Sequence, residues 1–120
     1  MQDKIIINDY IENDPLSEEN LDKTLETVNR FRLSLPNKSI WLYSGYDYQK
    51  VMRQLPNLAT KENYNMYKRQ QIIKQCTVMV DGRYIDSQRN PSKKWAGSDN
   101  QRVLDIQRSL QKGEIVLWKC

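Results

Sequence analysis

"SIWLYSGY", residues 39–46, is the stretch on which the fold turns. Ile40 to Tyr43 run apolar without alternation and end at Gly45. A short continuous apolar run closed by glycine predicts a strand buried on both faces, as in a parallel sheet covered by helices.

Immediately upstream, residues 17–34 predict a helix. Pro15 closes off what precedes it, Ser17 offers an N-cap, and Glu18 and Glu19 suit the positive end of the helix dipole. Leu21, Leu25, Val28 and Leu35, flanked by Phe31, recur near the 3.6-residue period, and Pro36 with Asn37 stops the helix. Downstream, residues 47–55 predict a short helix with Val51, Met52 and Leu55 inward, broken at Pro56. Residues 62–75 predict a polar, tyrosine-rich helix. "CTVMV", Cys76–Val80, predicts a second strand, with Asp81-Gly82 as a tight turn after it. A loop covers residues 86–98. Val103, Ile106 and Leu110 mark a helix ended by Gly113, and "EIVLW", residues 114–118, predicts a last strand.

The start of the chain reads two ways. "KIIIN" fits a strand. "DKIIINDYIEN", residues 3–13, fits a short helix with Ile7, Tyr10 and Ile11 on one face, and the helix is preferred. Strands alternating with helices give an α/β class with a mostly parallel sheet, as one domain over residues 1–120.

Composition narrows the function. The 120 residues are 38% apolar and 28% charged, ordinary for one globular domain. No apolar run approaches the roughly 20 residues of a membrane span, and the N-terminus does not resemble a signal peptide, so a cytoplasmic protein is expected. There is no histidine, which removes the commonest general base and the commonest zinc ligand. The two cysteines, Cys76 and Cys120, are far apart and share no clustered spacing. They cannot build a metal centre that needs about four ligands, so no metal ligands are assigned. Cys76 reads as a small buried hydrophobe at a strand start, and Cys120 as exposed and incidental. Residues 61–120 carry a net charge of +6 against −2 for residues 1–60. A solvated basic surface explains this better than nucleic-acid binding, because no nucleic-acid motif accompanies it.

Functional groups of α/β folds gather at the carboxyl ends of parallel strands. Here those ends are "YSGY", residues 43–46, and "DGRY", residues 81–84. Gly45 and Gly82 would let a ligand approach the backbone, and Ser44 and Asp81 offer groups for a ribose or an amine. The same residues also suit plain turn chemistry, which spacing alone favours. A second concentration of polar groups lies in "KKWAGSDNQRVLDIQ", residues 93–107, where Trp95 precedes Ser98, Asp99, Asn100, Gln101 and Arg102. Ser98 and Asn100 suit caps of the last helix, with Trp95 packed on the core. No residue reads as a catalytic acid, base or nucleophile.

"IWLYSGY", "VMVDGRYID", "NPSKKWAGSDNQRVLDIQRSL" and "GEIVLW" together resemble the C-terminal half of the anaerobic ribonucleoside-triphosphate reductase activating proteins, a family of small radical S-adenosylmethionine enzymes. The resemblance runs from about Asp14 to Trp118, and Asp14-Pro15-Leu16 is similar to the end of that family's Gly-Gly-Asp-Pro-Leu motif. It implies a partial (β/α) barrel, here truncated. It also implies S-adenosylmethionine and a [4Fe–4S] cluster as cofactors, and radical generation on a glycine of the large reductase subunit. By the same resemblance Asp14 lies near the methionine amino group, and Ser44 and Gly45 face the cofactor. Asp81, Gly82 and the Ser98–Arg102 segment rim the mouth of the site, with Trp95 anchoring a partner-binding loop of Ser98, Asn100, Gln101 and Arg102.

The chain departs from that family in two places. The three-cysteine loop that binds the cluster is absent, so no cluster is expected on this chain alone and the chain by itself is expected to be inactive. The two glycines before Asp14-Pro15 are replaced by Glu12 and Asn13, and Glu12 is expected to intrude where backbone should approach the cofactor. A sheet that has lost strands is expected to expose an edge and an apolar face, favouring a homodimer or a complementary fragment. A non-enzymatic module that docks on the reductase is the alternative function.

Overall fold

A computed structural model of the chain describes residues 4–54 and 58–119. Strand β1 is Lys4–Ile6, helix α1 Leu21–Ser34, strand β2 Ser39–Ser44, helix α2 Tyr48–Met52, helix α3 Lys61–Lys74, strand β3 Val78–Asp81, strand β4 Arg102–Asp105 and helix α4 Ile106–Lys112. Short 3-10 turns occupy Ile7–Asp9, Glu18–Asn20 and Asp86–Gln88. The strands form one mixed sheet in the order β1-β2-β3-β4. β1 and β3 flank β2 in parallel, and β4 pairs antiparallel with β3. The class is α/β with a mostly parallel sheet.

The central expectation holds. β2 is buried on both faces, and its alternation divides the interior in two. Ile40 and Leu42 join Leu21 and Val28 of α1, Ile72 and Ile73 of α3, Met79 and Leu104 in one core. Each such side chain contributes about 2 kcal/mol by burial. Trp41 lies on the other face, in register with Val78, and Val80 with Val103. The expected exposed apolar face is a correction here: Trp41, Val78 and Val80 are buried. Trp95 and Trp118 cover Trp41 with ring centroids at 5.7 and 5.9 Å, and the Lys4 ammonium lies 4.1 Å from its ring. Three aromatic side chains and a lysine stem close a face that backbone does not.

Several local readings change. Lys4–Ile6 is a strand, not part of a helix, because β2 offers a free parallel edge that isoleucines fit; Asp3 lies outside the described residues. Asn8 extends that ladder with its side chain. Its amide donates to the Tyr43 carbonyl at 2.8 Å and accepts from the Tyr43 N–H at 2.9 Å. Ser17 occupies the cap position before the 3-10 turn, but its hydroxyl donates to the Asp14 carbonyl at 2.8 Å instead of capping a helical N–H. Leu35 follows α1 and is exposed, so it is not part of the buried stripe. Cys76 is buried but precedes β3 by two residues. Asp81 is the last ladder residue of β3, paired with Ser44 and Arg102, and not the first residue of a tight turn.

The largest corrections lie near the C-terminus. Arg102 to Asp105 form β4, so Val103 is a strand residue, and α4 starts at Ile106 with the Asp105 carboxylate accepting from the Arg108 N–H at 3.1 Å. Neither Ser98 nor Asn100 caps that helix. "EIVLW" contributes only a single bridge, Leu117 to Leu104, instead of a strand. Gly113 does end α4, at φ 69°, a left-handed angle that glycine adopts without strain. The predicted break at Pro56, the inward Leu55 and the exposed Cys120 lie outside the described residues.

Candidate functional site

A cavity of about 730 Å³ opens at the carboxyl ends of β2 and β3. Asp14, Ser44, Gly45, Gly82 and Gln101 all line it, although they come from four separate segments of the chain. Asp81, Trp95, Ser98, Asn100 and Arg102 do not. Asn8, Lys50 and Arg83 join the lining without a signal in the sequence, and Asn13, which stands in place of a glycine, joins it too.

Asp14 is the hub. Its Oδ1 accepts from the Leu16 N–H and the Ser44 hydroxyl, both at 2.9 Å. Its Oδ2 accepts from the Gly45 N–H at 2.8 Å. The Ser44 oxygen in turn accepts from the Tyr46 N–H at 3.0 Å. One carboxylate thus sets the shape of the strand end. A Cβ at Gly45 would lie 3.3 Å from Arg83 Cγ and 3.4 Å from Asp14 Oδ2, so a larger residue there would have to push the Arg83 side chain aside.

The departure from the glycine pair before Asp14 is accommodated. Asn13 has φ 64°, the left-handed region that asparagine tolerates better than most residues. Glu12 is exposed and lines a neighbouring surface hollow, not this cavity, so the expected intrusion is a correction. Its carbonyl accepts from the Asn20 amide at 2.7 Å, and that amide also reaches the Asp14 carbonyl at 2.9 Å. Asn20 was the legible signal for this loop only in hindsight, since an asparagine six residues on has no obvious partner in sequence.

The polar run after Trp95 is bonded inward. Gln101 Oε1 accepts from the N–H groups of Gly97 and Ser98, at 2.9 and 3.1 Å, and its amide donates to the Gly82 carbonyl at 3.1 Å. The Asn100 amide donates to the Arg83 carbonyl at 2.7 Å, and its oxygen accepts from the Ser98 hydroxyl at 2.6 Å. Lys93 donates to the carbonyls of Asp99 and Gln101 at 2.9 and 2.5 Å. These bonds shape the loop and hold the Gly82–Arg83 wall of the cavity. Ser98 is fully buried. Trp95 sits at φ 67°, a strained angle for a tryptophan, held by its packing on Trp41.

Asp81 lies behind the wall. It is 1% exposed and accepts two hydrogen bonds from Arg102 and one from the Tyr48 N–H at 2.9 Å. The Arg102 guanidinium is held above the usual arginine range, chiefly by its bond to Asp81. Burial raises Tyr43 and Tyr48 likewise.

No group of three or more metal-ligating side chains occurs among the described residues. Cys76 is a poor ligand: burial pushes its thiol up to about 12 against the opposing pull of Arg32, and its sulfur lies 3.4 Å from the Ile72 carbonyl. The described residues therefore do not fit a [4Fe–4S] cluster. They do fit a small polar ligand, because the cavity gathers the Asp14 carboxylate, the cations of Lys50 and Arg83 and the amides of Asn8 and Gln101.

Comparison with known proteins nevertheless places the chain in a cluster-binding family. Residues 12–104 match the family model described as "4Fe-4S single cluster domain". The chain is 32% identical over 90 residues to the anaerobic ribonucleoside-triphosphate reductase-activating protein of Escherichia coli K12, covering 75% of this chain and 49% of that protein. It is 33% identical over 90 residues to the protein of the same name from Vibrio cholerae, with the same coverage. Against the one from Enterobacteria phage T4 it is 31% identical over 91 residues, 75% of this chain and 47% of that protein. The chain spans about half the length of these curated relatives. No solved structure matches it.

Proposed function

This chain belongs to the 4Fe-4S single cluster domain family, and from that premise we propose that it is part of an activating protein for anaerobic ribonucleoside-triphosphate reductase. Its role there is to hold S-adenosylmethionine in a partial (β/α) barrel of the radical S-adenosylmethionine type, as a single cytoplasmic domain over residues 1–120. The observation that carries this reading is the convergence of Asp14, Ser44, Gly45 and Gly82 on one cavity at the strand ends. Each had been singled out from sequence, and only the fold brings them together.

S-adenosylmethionine supplies the radical in that chemistry; what this chain's residues do is bind and orient it. Gly45 and Gly82 let the ligand lie against backbone. Lys50 and Arg83 offer cations to its carboxylate, and the Asp14 carboxylate offers a negative charge near its amine. Cluster ligands are not among the described residues, so no electron transfer step is assigned to this chain alone.

Isothermal titration of the chain with S-adenosylmethionine tests the reading. One-to-one binding, weakened at least tenfold by Asp14→Ala, is expected. Absence of saturable binding at millimolar ligand would remove the proposal.

A second reading has its own observation. The loop from Gly82 to Gln101 is braced by its own side chains, and a braced loop without cluster ligands suits a docking module for the reductase, for a complementary fragment or for a second copy. Retention of the reductase in a pull-down by the chain in which Asp14→Ala has abolished S-adenosylmethionine binding would favour it.

A further inference from the structure

We infer that Arg69 is the positioning residue that fixes both loop walls of the cavity to helix α3; as an account of ligand binding this rests on the reading proposed above. Arg69 lies near the middle of α3 and does not line the cavity. It is only 7% exposed, and no ion pair with a carboxylate within 4.0 Å is made by it among the described residues. A buried cation without a carboxylate is costly and needs a specific set of acceptors. Its acceptors are both parts of the site. Nε donates to the Leu16 carbonyl at 2.7 Å and Nη2 to the Tyr46 hydroxyl at 3.1 Å, while the guanidinium lies 4.5 Å from the centre of the Tyr46 ring.

These bonds close a circuit. The Leu16 peptide accepts from Arg69 and donates its N–H to Asp14 Oδ1 at 2.9 Å. The Ser44 hydroxyl donates to the same oxygen at 2.9 Å and accepts from the Tyr46 N–H at 3.0 Å. The Tyr46 hydroxyl returns to Arg69. Asp14 and Tyr46 sit on irregular backbone, and α3 is the 14-residue helix that gives them a rigid reference. The planar guanidinium suits the task because two donors point in fixed directions and its face stacks on an aromatic ring; an ammonium offers neither.

The experiment is amide hydrogen exchange by NMR on the full chain, wild type and with Arg69→Met, Arg69→Lys and Tyr46→Phe. The Gly45 N–H, bonded to Asp14, is the reporter, and the amides of Leu42 and Met79 in the core are the internal reference. Exchange at Gly45 is expected to rise at least tenfold relative to the reference in both Arg69 variants, and less in Tyr46→Phe, which deletes only a hydroxyl. Exchange that rises in step with the core amides, or full restoration by lysine, overturns the inference, because it would reduce Arg69 to general stability or to charge. Should Arg69→Met fail to fold, Tyr46→Phe decides by the same criterion. S-adenosylmethionine titration of Arg69→Lys, expected to weaken at least fivefold, is read separately. If wild type does not bind that ligand, the functional reading fails while the exchange result still judges Arg69.

Discussion

Arg102 and Asp81 are register partners in the antiparallel pairing of β4 with β3, and their side chains repeat the link with two charge-assisted hydrogen bonds, Nη2 to Oδ2 at 2.6 Å and Nε to Oδ1 at 3.0 Å. Asp81 Oδ2 also accepts from the Tyr48 N–H at 2.9 Å. The pair therefore joins β4, β3 and the start of α2, directly behind the cavity wall. Arg102 also reaches Gln49 at 3.1 Å and approaches Asp47 at 3.8 Å.

Removing Arg102 should be among the more damaging single changes in the sheet. Arg102→Ala leaves a nearly inaccessible carboxylate without its cation, which costs about 3 kcal/mol. Asp81→Asn keeps an acceptor for Tyr48 and should cost less. Urea unfolding of the two variants checks the order, and equal midpoints would contradict it.

Gly82 has φ 96° and touches the Gln101 loop, where a Cβ would lie 3.5 Å from the Asn100 carbonyl oxygen. The space is tolerable but the angle is not. Gly82→Ala should destabilise by about 1–2 kcal/mol through backbone strain. The shift of its thermal unfolding midpoint from that of the wild type measures this, and an unchanged midpoint would contradict it.

Trp95 holds a strained φ through its contact with Trp41. Trp95→Ala should lose about 1 kcal/mol of ring–ring interaction in addition to burial. Near-ultraviolet dichroism should lose the signal of the coupled indoles while far-ultraviolet dichroism changes little. An unchanged near-ultraviolet spectrum would show that Trp118 alone covers Trp41.

Cys76 gives an alkaline limit. Its folded thiol is raised to about 12 from 9.0 by burial. A raised acid holds its proton in the folded state while the unfolded chain releases it. The stabilising contribution is thus full below pH 9 and lost as the pH climbs toward 12, at a slope of about 1.4 kcal/mol per pH unit. In a Cys120→Ser background, Cys76→Ala should abolish that part of the slope. Native alkylation of Cys76 should be slow at pH 8 and fast in urea.

Much of the fold was legible because its signals are local. The apolar run at Ile40–Tyr43, the apolar period and the Pro36 stop of α1, and Gly113 all act within a few residues, so β2, α1 and the end of α4 could be read directly. Two of the misreadings share one cause. Lys4–Ile6 and Arg102–Asp105 are short segments whose periodicity fits helix or strand, and only the presence of an unpaired neighbour in space selects the strand. The candidate site was legible in part for the same reason. Asp14, Ser44, Gly45 and Gly82 carry turn chemistry visible in sequence, whereas Asn8, Lys50, Arg69 and Arg83 look like ordinary surface residues until their neighbours are known.

By itself the sequence determined the α/β class, the glycines that close the apolar strands, and the lack of clustered cysteine and histidine ligands, since residue type and spacing fix these. Tertiary structure alone decided that Asp14 closes on Ser44 and Gly45, that the polar run 98–102 turns inward, and that tryptophans cover the second face of the sheet. Those outcomes depend on distances between segments 19 or more residues apart. A hydrogen bond or ring contact there is settled by which groups burial leaves without water, not by any pattern along the chain.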